Sequence, residues 1–192
     1  MSSDQENGLA FVAVIAALMW VAEVVDLILG GDLDAYGIEP QEADGLVGVA
    51  TAPFLHAGFG HLVGNTIPFL LLGATIALAG LARVVWVTVV VALTAGFGTW
   101  ATAPPGTVHI GASGVVFGYA SYLVSRAFFS RSLVHAAVGI VVIALYGGTV
   151  LFGMLPERGI SWQGHLFGAL GGVLAAWLLE RRRPTPAPSA SA

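Results

Sequence analysis

The sequence predicts an all-α membrane protein, a six-transmembrane-helix bundle with both termini cytoplasmic, on three observations. Of 192 residues only 9% are charged and 57% are hydrophobic, with 26 glycines, a composition far from that of soluble domains. The charges are clustered, so that residues 45–82, 84–125, 132–156 and 159–179 hold no Asp, Glu, Lys or Arg. Such runs exceed the roughly 20 apolar residues that cross a bilayer core, and several must fold back as more than one span. The third observation is that the arginines sort to one side once the spans are drawn.

Dividing the apolar runs at Gly, Pro and charged residues gives helices at 9–30, 58–80, 84–103, 111–129, 133–153 and 163–180. The first run, Leu9 to Gly30, is too long for a signal-peptide core and has no basic region before it, so it reads as a retained span. The breaks are the acidic stretch at 30–45, Arg83, "APPGT" at 103–107, "SRS" at 130–132 and "PERG" at 156–159. Residues 1–8 form a short cytoplasmic amino-terminal segment and 9–180 the six-helix domain. The tail 181–192, basic and then rich in Pro, Ala and Ser, is predicted to be disordered and cytoplasmic. There is no lysine, and with the amino terminus inside, Arg83, Arg126, Arg131, Arg181, Arg182 and Arg183 fall on the cytoplasmic side. Only Arg158 falls outside.

Several functions are excluded by composition. The absence of cysteine removes disulfides, thiolate nucleophiles and Cys-based metal sites. A pI near 5.6, with no basic face interleaved with aromatics, argues against nucleic-acid binding. No His-Glu-x-x-His run, no pair of mid-membrane aspartates and no lysine for a Ser-Lys dyad is present. No metal or other cofactor is expected, and a lipid bilayer is the expected surroundings.

In this topology the second, fourth and sixth helices begin at one depth, in the outer leaflet. Helix two opens with "HAGFGHLVGN", carrying His56, His61 and Asn65; helix four opens with Ser113 inside "HIGASGVVFGY"; helix six opens with "QGHLFGALGG", carrying His165. A serine in a membrane helix ordinarily bonds its own backbone or aids packing. Polar side chains from three segments at one depth mark a functional interior instead. Serine needs a base to become a nucleophile, and histidine is the usual one, so Ser113 and His165 pair. His61 and Asn65, at i and i+4, share a helix face and can donate into an oxyanion hole with the backbone N–H of Ser113 or its neighbour. With Glu157, Glu23 and Asp26 poorly placed for a third member, a dyad is favoured. Phe117, one turn below Ser113, can stack on the imidazole. Gly111 and Gly114, with Gly164, Gly168 and Gly172, let helices four and six approach backbone to backbone.

In their order along the chain, these motifs resemble the rhomboid intramembrane serine proteases. The Gly-x-Ser-Gly run at Gly111 to Gly114, His61 and Asn65 with the preceding His56, and the "GHLFGALGG" histidine at His165 carry the resemblance, which covers almost the whole chain. It implies an endopeptidase of the cell membrane that cuts transmembrane protein substrates in a water-accessible cavity open to the outside. Ser113 is then the nucleophile, His165 the base, and His61 and Asn65 the oxyanion donors. Two features depart from common members: the first loop has no Trp-Arg pair, and Phe117 stands where some have tyrosine. A catalytically inactive rhomboid-like client binder is the alternative, to which the presence of both Ser113 and His165 is opposed. A transporter is disfavoured by the lack of an internal repeat.

Overall fold

The computed structural model describes residues 1–157 and 159–180. Arg158 and the segment 181–192, with the arginines 181–183 expected to be cytoplasmic and the tail expected to be disordered, lie outside the described residues. Long helices run over Ser3–Leu29 (α1), Phe59–Ala77 (α2), Leu81–Thr102 (α3), Ser113–Ser130 (α4), Leu133–Gly153 (α5) and Trp162–Glu180 (α6). Each corresponds to one expected helix.

The largest displacement of a boundary is at α1, which starts at Ser3 rather than Leu9, and a capping box is the reason. Ser2 Oγ accepts the Gln5 N–H at 3.3 Å, and Gln5 Oε1 accepts the Ser2 N–H at 3.0 Å, which satisfies donors that a bare helix end leaves open. The added turns tie down the neighbouring elbow, because Gln5 Nε2 donates to the Leu78 carbonyl and Asp4 accepts the Leu81 N–H.

α4 and α6 form the centre of the bundle and pack most extensively on each other. Their contact is built on glycine. A Cβ on Gly168 would run into the Gly114 carbonyl, and one on Gly172 into the Gly118 carbonyl. Backbones that approach this closely gain dispersion contacts without side-chain entropy loss. α3 covers one side of the pair through Val84, Val87 and Val91, all fully buried. α1 and α2 close another side around Met19, Phe69 and Ile76. α5 leans on α4 and buries only Gly139 and Val142.

Among the described residues four helices, α1, α2, α3 and α5, are long and apolar enough to cross a membrane by length and composition. α4 and α6 are not in that set, and their position explains why. Central in the bundle, they spend much of their length on Gly, Ser, Gln, His, Arg and Glu, while α6 keeps an exposed apolar stripe of Leu170, Val173, Leu174 and Trp177.

The first connection, 30–58, is not an extended loop. It folds into single helical turns at Asp32–Tyr36, Asp44–Leu46, Gly48–Thr51 and Ala52–Phe54. These lie over the end of the bundle, with Ile38 and His109 exchanging both backbone hydrogen bonds at 2.9 Å and the Gly111 N–H donating to Ala52. The segment leading into Ser113 is therefore pinned before α4 begins.

At the opposite end, Arg83 of α3 and Arg126 of α4 both bind Oε1 of Glu180 on α6, at 2.6 and 3.0 Å. Arg83 also donates to the Tyr122 hydroxyl at 3.3 Å. Two of the six arginines assigned to the cytoplasmic side in the sequence thus share a buried counter-ion.

Candidate active site

Ser113 is the first residue of α4, so its backbone N–H is not consumed by the helix ladder. Its Oγ lies 2.8 Å from Nε2 of His165, which stands one turn into α6. The other ring nitrogen, Nδ1, lies 2.6 Å from the Gly153 carbonyl oxygen. A carbonyl can only accept, so Nδ1 carries the proton and the Nε2 lone pair faces the serine hydroxyl. Phe117 stacks on the imidazole with ring centroids 4.0 Å apart and planes 13° from parallel. The ring is held by a hydrogen bond at one nitrogen and an aromatic face behind it.

Across from this pair, α2 presents His61 and Asn65. Gly111, with φ +110°, adopts a backbone that side chains rarely tolerate, and a Cβ there would sit 2.6 Å from His61 Cε1 and 3.7 Å from Asn65 Nδ2. The bare Cα of Gly111 thus leaves room between the α4 start and the α2 side chains. His61 Nδ1 accepts the Ala57 N–H at 3.4 Å, so Nε2 bears the proton and is a donor on the Gly111 side. Asn65 donates to the His61 carbonyl of its own helix at 3.1 Å, and its amide has a second N–H to offer.

His56 supports rather than lines the site. It is 1% exposed, its Nδ1 donates to Phe54 at 3.3 Å, and its Nε2 accepts the Ala112 N–H at 3.4 Å. Its ring meets that of His61 edge-on at 5.1 Å. Burial, with His61 second, holds the His56 pKa down at about 4, so the neutral form that this hydrogen-bond pattern requires is the stable one.

A cavity with about 40 Å³ of room for water lies beside Ser113, bounded by Gly111, Thr99, His109, Ser161 and Gly164 among others. The sequence-predicted Ser113, His165, His61, Asn65, Gly111, Gly114, Phe117 and His56 are all brought together around one end of the bundle. Sequence reasoning missed Gly153. It stands in the last turn of α5, where a Cβ would be 2.5 Å from Phe117 Cζ and 3.3 Å from His165 Nδ1. Its carbonyl, at the end of a helix, lacks a following N–H, and that open acceptor was the only signal available. Where a carboxylate would stand as third member of a triad, His165 Nδ1 meets a neutral main-chain oxygen.

A model of the Rhomboid domain matches residues 43–182, from the first connection to the end of α6. The chain belongs to the rhomboid family. Curated relatives match over most of the chain. The chain is 44% identical over 178 residues to an uncharacterized protein of Mycobacterium tuberculosis (strain H37Rv), covering 88% of this chain and 74% of the other. Identity to an uncharacterized protein of Mycobacterium leprae is 44% over 173 residues, covering 85% and 68%. With YdcA of Bacillus subtilis (strain 168), named as a candidate rhomboid protease, it is 32% over 134 residues, covering 69% and 67%. Rhomboids are intramembrane proteases at family level, and the several long apolar helices here accord with an integral membrane protein.

Proposed function

We propose that this chain is an intramembrane serine endopeptidase of the cell membrane, crossing it six times with both termini inside, that cleaves peptide bonds in or near transmembrane segments of other proteins. The observation that carries the reading is the Ser113–His165 contact of 2.8 Å with the imidazole already in the tautomer a general base needs. Topology is supported by the arginines: Arg83 and Arg126 lie together at the end of the bundle opposite Ser113, which puts the active site toward the outside if positive charge stays in.

The chemistry proceeds in two halves. Ser113 Oγ attacks the scissile carbonyl carbon while His165 Nε2 takes the hydroxyl proton. The tetrahedral oxyanion is met by the Ser113 backbone N–H, His61 Nε2–H and the free N–H of Asn65. Collapse breaks the C–N bond, His165 returns its proton to the leaving amine, and an ester remains on Ser113. A water then gives its proton to His165 and attacks the ester, and the second collapse frees the carboxylic acid and restores the serine. The imidazolium keeps its Nδ1–H on the Gly153 carbonyl throughout, a weaker stabiliser than a carboxylate but one that fixes the ring plane.

The test is cleavage of a reporter transmembrane segment by purified protein in liposomes, alongside labelling by a fluorophosphonate probe. Wild type should cut and be labelled, and Ser113→Ala and His165→Ala should each do neither. Equal cutting by wild type and Ser113→Ala would sink the reading. Absence of both labelling and cutting in wild type would favour the inactive client binder.

A further inference from the structure

A second serine–histidine contact lies beside the first, with the roles of the two chain segments exchanged. His109 stands four residues before Ser113, and Ser161 four residues before His165; His109 Nδ1 and Ser161 Oγ are 2.8 Å apart. The direction of these bonds can be assigned by following the protons. Thr107 Oγ1 donates to the Pro104 carbonyl at 2.6 Å, so toward His109 Nε2, at 2.9 Å, it can only accept. Nε2 therefore carries the His109 proton, and Nδ1 accepts from the Ser161 hydroxyl. Burial keeps the His109 imidazole below the ordinary histidine range, which favours this neutral form.

The contact joins the two segments whose relative position sets the reactive pair. On one side His109 is pinned by its backbone exchange with Ile38. On the other, the Ser161 carbonyl accepts the His165 N–H at 3.1 Å, so Ser161 starts the turn on which the base is mounted. Between the two segments, α4 and α6 meet through glycines, a contact without interlocking side chains that resists sliding poorly. Below the reactive pair, Ser121 Oγ donates to the Ala169 carbonyl at 2.7 Å. Above it stands His109–Ser161.

We infer that His109 and Ser161 are positioning residues, a polar clasp that fixes the register of α4 against α6 and thereby holds Ser113 and His165 at reacting distance. The inference rests on the protease reading, since it assigns the clasp no bond-making role. It differs from a purely structural role in requiring that the chemical step suffers while substrate binding and folding do not.

The experiment measures the rate of Ser113 labelling by a fluorophosphonate probe, together with kcat and KM for a transmembrane reporter, in wild type and variants. His109→Ala and Ser161→Ala should each slow labelling and kcat about tenfold, with KM within twofold and the thermal midpoint in detergent little changed. The double variant should be no slower than the slower single one, because both remove the same clasp. His109→Asn, whose side-chain oxygen can take the place of Nδ1, and Ser161→Thr should recover most of the rate. Single variants that label at the wild-type rate, multiplicative losses in the double variant, or rates that simply follow lost folded protein without rescue overturn the clasp. Labelling that persists in Ser113→Ala and vanishes in Ser113→Ala/Ser161→Ala overturns it too, since Ser161 would then be a nucleophile. A wild type that neither labels nor cuts refutes the protease reading itself, a result separable from all of these.

Discussion

At the scale of single residues, the site depends on how each polar atom is used rather than on which residue types are present. Asn65 spends one N–H on its own helix and has one left for substrate. Asn65→Ala should lower kcat by roughly 10²-fold, the usual cost of one oxyanion donor where others remain, with Ser113 labelling as the parallel readout. His56 makes a different contribution. Its pKa is held down at about 4 against an ordinary 6.5, so above pH 6.5 both folded and unfolded chains carry it neutral and it adds no pH dependence. As pH falls from 6.5 toward 4, the unfolded chain takes up a proton that the folded one refuses, and stability is lost. Thermal midpoints measured in detergent across that window should decline with acid, and His56→Gln should flatten the decline. An unchanged slope in the variant would refute the assignment.

At the scale of elements, α5 combines loose packing with a short contact to His165. It buries only two residues, yet the carbonyl of its last residue orients His165. Gly153→Ala would push a methyl against Phe117 and the imidazole, and misplacement of a catalytic group by about 1 Å costs on the order of 10²-fold. The expected outcome is a fall in kcat of about that size with the protein still folded by circular dichroism. Gly148 on the same helix has open space at its Cβ, so Gly148→Ala should leave cleavage intact and raise the melting temperature slightly. The α4–α6 contact is stricter. Gly168→Ala drives a methyl into the Gly114 carbonyl, beside Ser113, and should lower both thermal stability and labelling rate. Preservation of both would show that the backbones can part at no cost.

At the scale of the whole molecule, the reactive end and the charged end are held by different forces. Glu180 draws α3, α4 and α6 together, its side chain wholly buried and its Oε1 shared by two arginines. Removing one partner of a buried ion pair leaves uncompensated charge and costs about 3–5 kcal/mol. Glu180→Gln should therefore lower the unfolding midpoint in detergent markedly, and a change within error would mean that the arginines reach water or lipid headgroups instead. The effect on catalysis should come only through the folded fraction, since the Arg83–Arg126–Glu180 cluster lies at the opposite end from Ser113.

The number and order of the long helices and the meeting of Ser113 with His165 were legible in the chain itself, because four of the helices announce themselves by length and hydropathy, and because Ser113, His61, Asn65 and His165 fall at corresponding ends of alternate helices. The early start of α1 was legible too, in the Ser2 and Gln5 of a capping box that the apolar pattern overshadowed. What only the tertiary structure decided were contacts made by backbone or across large sequence separations. The Gly153 carbonyl on His165, the Glu180 bridge and the His109–Ser161 contact leave no periodicity and no motif, since a carbonyl is common to every residue and a partner 52 or 97 residues away is chosen by helix packing. Hydropathy fixes which segments enter the bundle, whereas close glycine packing fixes which atoms then meet.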